Sequence, residues 1–196
     1  MRKVILIPLT MAVLITAVVI ACTDSGAKET NVTSSKDSAA RVKRGEYLVN
    51  TIGCDDCHSP KHMGPGEPEI IQDLRLSGFP RNGHLPPVDT TEIKKGWMMF
   101  APDLTAAVGP WGASFAGNLT NHETGIANWT EENFIRALRK GKLKGMESSR
   151  NLLPPMPWFV YKNMTDEDLK SIFAYLKTTK PVDNVVPAPI PFSDLK

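Results

Sequence analysis

Cysteine is scarce in this chain, with three among 196 residues. So small and odd a number cannot build the disulfide framework of a small secreted scaffold. The fold must rest on a hydrophobic core, for which the length suffices. An excess of charge is also lacking: 23 Lys and Arg stand against 21 Asp and Glu, a formal net charge of +2. That supplies no field suited to nucleic acid, and no nucleic-acid partner is expected. Aromatic residues are few at 7%. Beyond Cys22 no long apolar run occurs, which argues against a polytopic membrane protein. What is present, 41% hydrophobic and 22% charged, is the composition of an ordinary globular domain and argues against wholesale disorder. The three cysteines therefore need a separate explanation.

The first cysteine closes an export signal. Met1-Arg2-Lys3 precedes the apolar run Val4 to Ile20, which is followed by Ala21-Cys22. Charge, then an apolar stretch, then a small residue is the layout of a secretory signal. The run contains Pro8, Thr10 and Thr16 and is short for a spanning helix. Val19-Ile20-Ala21-Cys22 resembles the bacterial lipobox, in which the cysteine is lipidated and becomes the new N-terminus. The expectation is a signal peptide over 1–21 and a lipid on Cys22, holding the chain on the outer face of the bacterial cytoplasmic membrane or in the periplasm. A cleaved signal with an unmodified cysteine and an uncleaved anchor helix are the alternatives. Removing 1–21 takes away Arg2 and Lys3 and no acid, so the remaining charges balance. Residues 22–40, rich in Ser, Thr, Asp and Lys, read as a flexible tether. Residues 41–180 read as the domain, and 181–196, carrying Pro181, Pro187, Pro189 and Pro191, as an extended strap.

The other two cysteines lie in Cys54-Asp55-Asp56-Cys57-His58, a CxxCH sequence, the attachment pattern of c-type haem. Thiols at this spacing can each add to one vinyl group of a porphyrin. The adjacent histidine is then held beneath the ring as an iron ligand. The competing readings lack their partners. A thioredoxin-like CxxC wants strand–helix alternation around it, and this region is punctuated by Pro and Gly. A zinc site wants a second ligand pair, whereas His62, His84 and His122 are scattered. A disulfide within the motif would be strained and leaves His58 unexplained. One motif predicts one covalently bound haem c.

Three helices are predicted around it. Gly45, Leu48, Val49 and Ile52 share one helical face, with Gly53 placed to end it. Thr165 with Asp168 resembles a capping box, and Leu169, Ile172, Phe173 and Leu176 repeat with helical spacing before Pro181. A third helix is expected from Thr130 through Phe134, Ile135 and Leu138 towards Gly141. The stretch between His58 and Thr130 is rich in Gly and Pro and reads as a long loop packed over the cofactor.

Here the chain resembles class I cytochromes c. The resemblance implies an all-α fold in which N- and C-terminal helices cross, a helix near 130–141, and a long loop-rich insertion after the CxxCH. In that family a helix glycine often meets an aromatic side chain; Gly45 matches the glycine, and Phe173 or Tyr175 the aromatic. The resemblance also implies a methionine as sixth iron ligand. The candidates are Met63, Met98, Met99, Met146, Met156 and Met164. Met156 is favoured because it precedes the last helix and stands in Leu153-Pro154-Pro155-Met156-Pro157-Trp158, where prolines restrict the backbone. Met164 and Met146 come next, and His84 or His122 would make a bis-histidine haem.

Gly109-Pro110-Trp111-Gly112, Gly117-Asn118-Leu119-Thr120, Glu123-Thr124-Gly125-Ile126 and Trp129-Thr130, together with the bracketed methionine, are similar to cytochrome c subunits and partners of membrane-associated bacterial dehydrogenases. Those subunits commonly carry several haems, whereas this chain has one motif. Trp111, Trp129 and Trp158 are candidates to line the haem pocket or to serve as plain core. Arg136, Arg139, Lys140, Lys142, Lys144 and Arg150 form a basic cluster that either steers an acidic redox partner or is a solvated helix end; Arg150 is the first candidate for a propionate contact. The implied function is an electron carrier, not an enzyme. It would accept electrons from a dehydrogenase or quinol oxidoreductase and pass them to an oxidase or another cytochrome. A haem sensor or enzyme with an open iron position is the alternative.

Overall fold

The structure, a computed structural model, describes residues 26–195. The expected signal peptide over 1–21 and the lipid site Cys22 lie outside the described residues. Two units divide the chain, Met1–Ser38 and Ala39–Lys196. Helix α1 spans Gly26–Thr51, so the later part of the stretch read as a tether is helical. No proline or glycine interrupts residues 27–44, and the backbone there has no local reason to break. The helix stops before Gly53, which takes a left-handed φ of 84°.

The remaining elements follow in order within the second unit. Helix α2 (Cys54–His58) is the CxxCH itself. Strands β1 (Lys61–His62) and β2 (Glu69–Ile70) pair antiparallel, Lys61 opposite Ile70. Helix α3 (Thr90–Lys94), capped by Asp89, leads to an antiparallel meander of β3 (Met99–Phe100), β4 (Ala106–Gly109) and β5 (Gly112–Phe115). Helices α4 (Glu131–Lys140), α5 (Trp158–Tyr161) and α6 (Asp166–Leu176) follow.

The all-α expectation is therefore corrected to helices with two small antiparallel sheets, both within the insertion between the CxxCH and α4. The strands are too short for an alternating pattern to register. Every residue of β4 is buried, so no apolar–polar alternation exists there to be read. A small second core of Ile93, Val108 and Ala113 forms against this sheet, with Ile190, Phe192 and Leu195 packed on it. The C-terminal segment reaches it by pairing Ile190 with Ala113, through N–H···O contacts of 2.8 and 3.0 Å. At Gly112 (φ 100°) an added Cβ would lie 2.0 Å from the Ile190 carbonyl oxygen, so only glycine admits this approach.

The main core joins α1, α4 and α6 through Leu48, Val49, Phe134, Leu138, Leu169, Ile172 and Leu176. Helices α1 and α6 cross at Gly45, where an added Cβ would lie 1.9 Å from the Ser171 carbonyl oxygen and 2.8 Å from Tyr175 Cβ. Tyr175 is thus the aromatic partner. Phe173 turns instead to Phe134 on α4, ring centroids 5.4 Å apart. Thr130 and Asn133 form a full capping box on α4, while on α6 only the Thr165 half forms. Asp168 has a different partner, the Arg44 guanidinium on α1 at 2.9 Å.

That hydrogen bond holds the Asp168 carboxyl below its ordinary pKa. A depressed carboxylate pKa contributes stability above the unfolded value of about 3.9 and loses it as pH falls through the folded value. Arg44→Met is therefore expected to lower the urea midpoint at pH 7, and the difference should shrink as pH falls through the depressed folded value of Asp168. Asn128-Trp129-Thr130 and Asn163-Met164-Thr165 have the Asn-x-Thr form of a glycosylation sequon, and here each threonine is a helix N-cap. Asn118 is buried, donating to the Val182 carbonyl at 2.9 Å, and offers no surface for a glycan.

Candidate functional site

The motif helix α2 is held from several sides. Gly53 turns the chain so that Cys54 begins a new helix at the end of α1. Tyr161, on α5, donates its hydroxyl to the Ile52 carbonyl at 2.8 Å, which joins the segment after Met156 to the end of α1. Behind the motif, Arg75 makes a two-pronged ion pair with Asp55, Nε to Oδ1 at 3.0 Å and Nη2 to Oδ2 at 2.7 Å. The same guanidinium donates to the Tyr175 hydroxyl at 2.8 Å and to Asn50 Oδ1 at 2.7 Å. One side chain therefore links α1, α2 and α6 where they meet. Asp55 also accepts from the buried Ser59 hydroxyl at 2.6 Å, and that hydroxyl accepts from Leu76 N.

Lys61 closes the other end of the motif. From β1 its ammonium donates to the carbonyl oxygens of Asp56 and Ser59 at 2.7 Å, of Asp55 at 3.0 Å and of Asp103 at 3.1 Å. A cation at the C-terminal end of a helix satisfies carbonyls that have no partner within it. Neither Arg75 nor Lys61 has a sequence signal. Each depends on a contact set by the insertion, and the β1–β2 pair aims Lys61 back at the motif.

The chemistry of the three motif side chains follows from their surroundings. His58 is half-buried, and its Nδ1 lies 2.7 Å from the Gly117 carbonyl oxygen. A carbonyl oxygen only accepts, so Nδ1 carries the proton and the lone pair is on Nε2. Burial pushes the His58 pKa down, which keeps the ring neutral and fit to ligate a metal. This is the arrangement in which a second-shell carbonyl sets both tautomer and ring orientation. Cys54 and Cys57 are free, half-buried thiols. Burial first, and then the Asp55 and Asp56 charges, push Cys54 up to about 12; burial and Asp56 raise Cys57. Such thiols are neutral at pH 7 and poorly suited to redox exchange or to a thiolate–metal site. The donor set of two neutral thiols and a neutral, oriented imidazole fits a covalently held haem. No group of His, Cys, Asp and Glu fit for a metal ion alone occurs among the described residues.

The sequence-predicted methionines separate by location. Met63, Met98 and Met146 are exposed, and Met99 packs on the second core. Met156 and Met164 are half-buried against the main core that Cys54 also borders. The Met156 loop is fixed by Ser114, whose hydroxyl donates to the Pro154 carbonyl at 2.6 Å and accepts from Trp111 Nε1. His84 is exposed, and His122 Nδ1 lies 2.9 Å from the Thr124 hydroxyl. Trp129 packs on the main core, and Trp158 lies against Gly141.

Much of the basic cluster is engaged within the fold. Arg136 pairs with Glu132 and donates to the Gly145 carbonyl. Arg139 pairs with Asp166 and donates to the Lys162 carbonyl. Arg150 is exposed and donates to the Asn151 carbonyl. Among the described residues no helix is long and apolar enough to cross a membrane.

Comparison with known proteins agrees with this chemistry. No protein-family model matches the chain. The fructose dehydrogenase cytochrome subunit of Gluconobacter japonicus is 31% identical over 192 residues, 95% of this chain and 32% of that protein. The cytochrome c subunit of the alcohol dehydrogenase (quinone) of Gluconobacter oxydans (strain 621H) is 30% identical over 145 residues, 73% of this chain and 22% of that protein. The gluconate 2-dehydrogenase cytochrome c subunit of Pantoea cypripedii is 30% identical over 137 residues, 69% of this chain and 22% of that protein. The chain thus spans a third or less of the length of these curated relatives. Over most of its own length it is homologous to cytochrome c subunits of bacterial dehydrogenases.

Proposed function

We propose that this chain is a monohaem c-type cytochrome of class I type, exported and tethered through lipid on Cys22, that relays electrons from a dehydrogenase or quinol oxidoreductase to an acceptor such as an oxidase or another cytochrome. The observation that carries this reading is the His58 hydrogen bond. The Gly117 carbonyl accepts the Nδ1 N–H and leaves Nε2 as the ring atom able to bind iron. When bound, haem supplies a one-electron ferrous–ferric couple.

The residues of this chain have separate tasks. Cys54 and Cys57 would anchor the group to α2, and His58 would offer Nε2 to its iron. Met156, held by the Ser114 contact to its loop, would supply the second protein ligand to the iron. A thioether ligand favours the reduced state and raises the potential. An iron held by both His58 and Met156 would have no position left for substrate, which favours electron transfer over catalysis. The names of the three relatives described above, each a cytochrome subunit of a dehydrogenase, support a dehydrogenase as donor.

The test is a potentiometric titration followed by visible absorbance. The expected result is one c-type haem per chain, six-coordinate and unresponsive to carbon monoxide. The weak red absorbance of the ferric form should vanish in Met156→Ala and persist in Met164→Ala, His84→Ala and His122→Ala. Strong carbon monoxide binding by the unmodified protein, or red absorbance retained in Met156→Ala, would overturn the ligand assignment.

A further inference from the structure

We propose that Lys61 is a positioning residue for the haem site: its ammonium fixes the C-terminal end of the CxxCH helix and places there a positive charge that raises the reduction potential. This inference rests on the proposed function above. Its first support is the contact set. Four carbonyl oxygens, those of Asp55, Asp56, Ser59 and Asp103, lie 2.7–3.1 Å from Lys61 Nζ. The first three flank Cys57 and His58 in the chain, so the cation is bonded to the backbone on both sides of the two residues that would meet the haem. An ammonium has three protons to donate, and with four oxygens around it the group is held without freedom to swing away.

The second support is the absence of a carboxylate partner. Among the described residues Lys61 forms no salt bridge within 4.0 Å, whereas Arg75, the other cation behind the motif, is paired with Asp55. The nearby Asp103 carboxylate turns to Thr105 N and Oγ1, at 3.1 and 2.9 Å. Asp56 is exposed. Lys61 is therefore balanced only by acids at a distance, and its removal would leave Asp56 and Asp103 uncompensated beside the site. Reduction adds an electron to the haem, so a fixed positive charge nearby stabilises the reduced state and raises the potential. Partial burial lessens screening of that effect.

The third support is how the fold delivers the residue. Lys61 opens β1, and its pairing with Ile70, together with the Ile71 N to Pro60 O bond of 3.0 Å, fixes the backbone that aims the side chain. The two-residue sheet is otherwise without an evident task.

The experiment compares Lys61→Gln, Lys61→Met and Lys61→Arg with the unmodified full chain, reading covalent haem yield and midpoint potential. Glutamine keeps hydrogen-bond donors without charge, methionine keeps neither, and arginine keeps charge. The expected result is a shift to lower potential in Lys61→Gln and Lys61→Met, with Lys61→Arg close to the unmodified protein. Haem attachment by Lys61→Arg but by neither uncharged variant also supports the proposal, since assembly then requires the cation. An unshifted potential in Lys61→Gln, or an equal fall in Lys61→Arg, overturns it. Unmodified protein with no covalent haem overturns the functional reading itself, and so is distinguishable from failure of the inference alone.

Discussion

Gly45→Ala is expected to lower the unfolding free energy by about 2–3 kcal/mol, even though alanine is the better helix former by about 1 kcal/mol. The added Cβ would lie 1.9 Å from a backbone oxygen, that of Ser171. Backbone cannot rotate aside as a side chain can, so α1 and α6 must separate. Separation loosens the contacts of Leu48 and Val49 with the α6 side of the core, and close-packed interiors tolerate such shifts poorly. Gly64→Ala is the control. Nothing lies within 4 Å of its added Cβ, and its effect should stay within about 0.5 kcal/mol. Urea unfolding midpoints measured side by side decide the matter: a Gly45→Ala protein as stable as the unmodified one would mean that the helices do not cross at this point.

Arg75→Met is expected to cost about 2–3 kcal/mol, towards the lower end for breaking a buried pair because the two side chains retain 25% and 15% exposure. Asp55 would keep its charge and lose both guanidinium contacts, and Tyr175 and Asn50 would lose a donor. Because Asp55 lies between Cys54 and Cys57 in α2, haem yield should fall together with stability. Asp55→Asn in the same background removes the stranded charge and should recover part of the loss. Strict additivity of the two substitutions in a double-mutant cycle would show that the pair is not coupled.

The two substitutions differ in how far sequence could foresee them. Gly45 is legible, because a glycine within an apolar helical face stands out against its propensity cost. Its aromatic partner is not fixed by the sequence, which offers both Phe173 and Tyr175. These residues are two apart on one helix and point to different neighbours, so only the crossing geometry separates them. Arg75 is not legible at all. It sits in the insertion, 20 residues beyond Asp55, and no local pattern announces a contact made through tertiary folding. The sheets were missed for a related reason. Strands of two to four residues, one of them wholly buried, carry no period, and such strands are stabilised by pairing.

Sequence by itself determined the CxxCH spacing, the existence of the three main helices and the glycines after α1 and α4, and it supplied the candidate axial ligands that the proposed function uses. These depend on spacing within a few residues, which local sterics and hydrogen bonding translate directly into structure. The low cysteine count and the balanced charge already pointed there, by leaving two thiols with no other use. Tertiary structure alone decided the His58 tautomer through Gly117, the upward shift of the thiol pKa values through burial, the grip of Arg75 and Lys61 on the motif, and the division of the methionines between surface and core. Each of these requires groups distant in sequence to meet at a few ångströms, and the energy of such a contact depends on burial and orientation that exist only once the chain has folded.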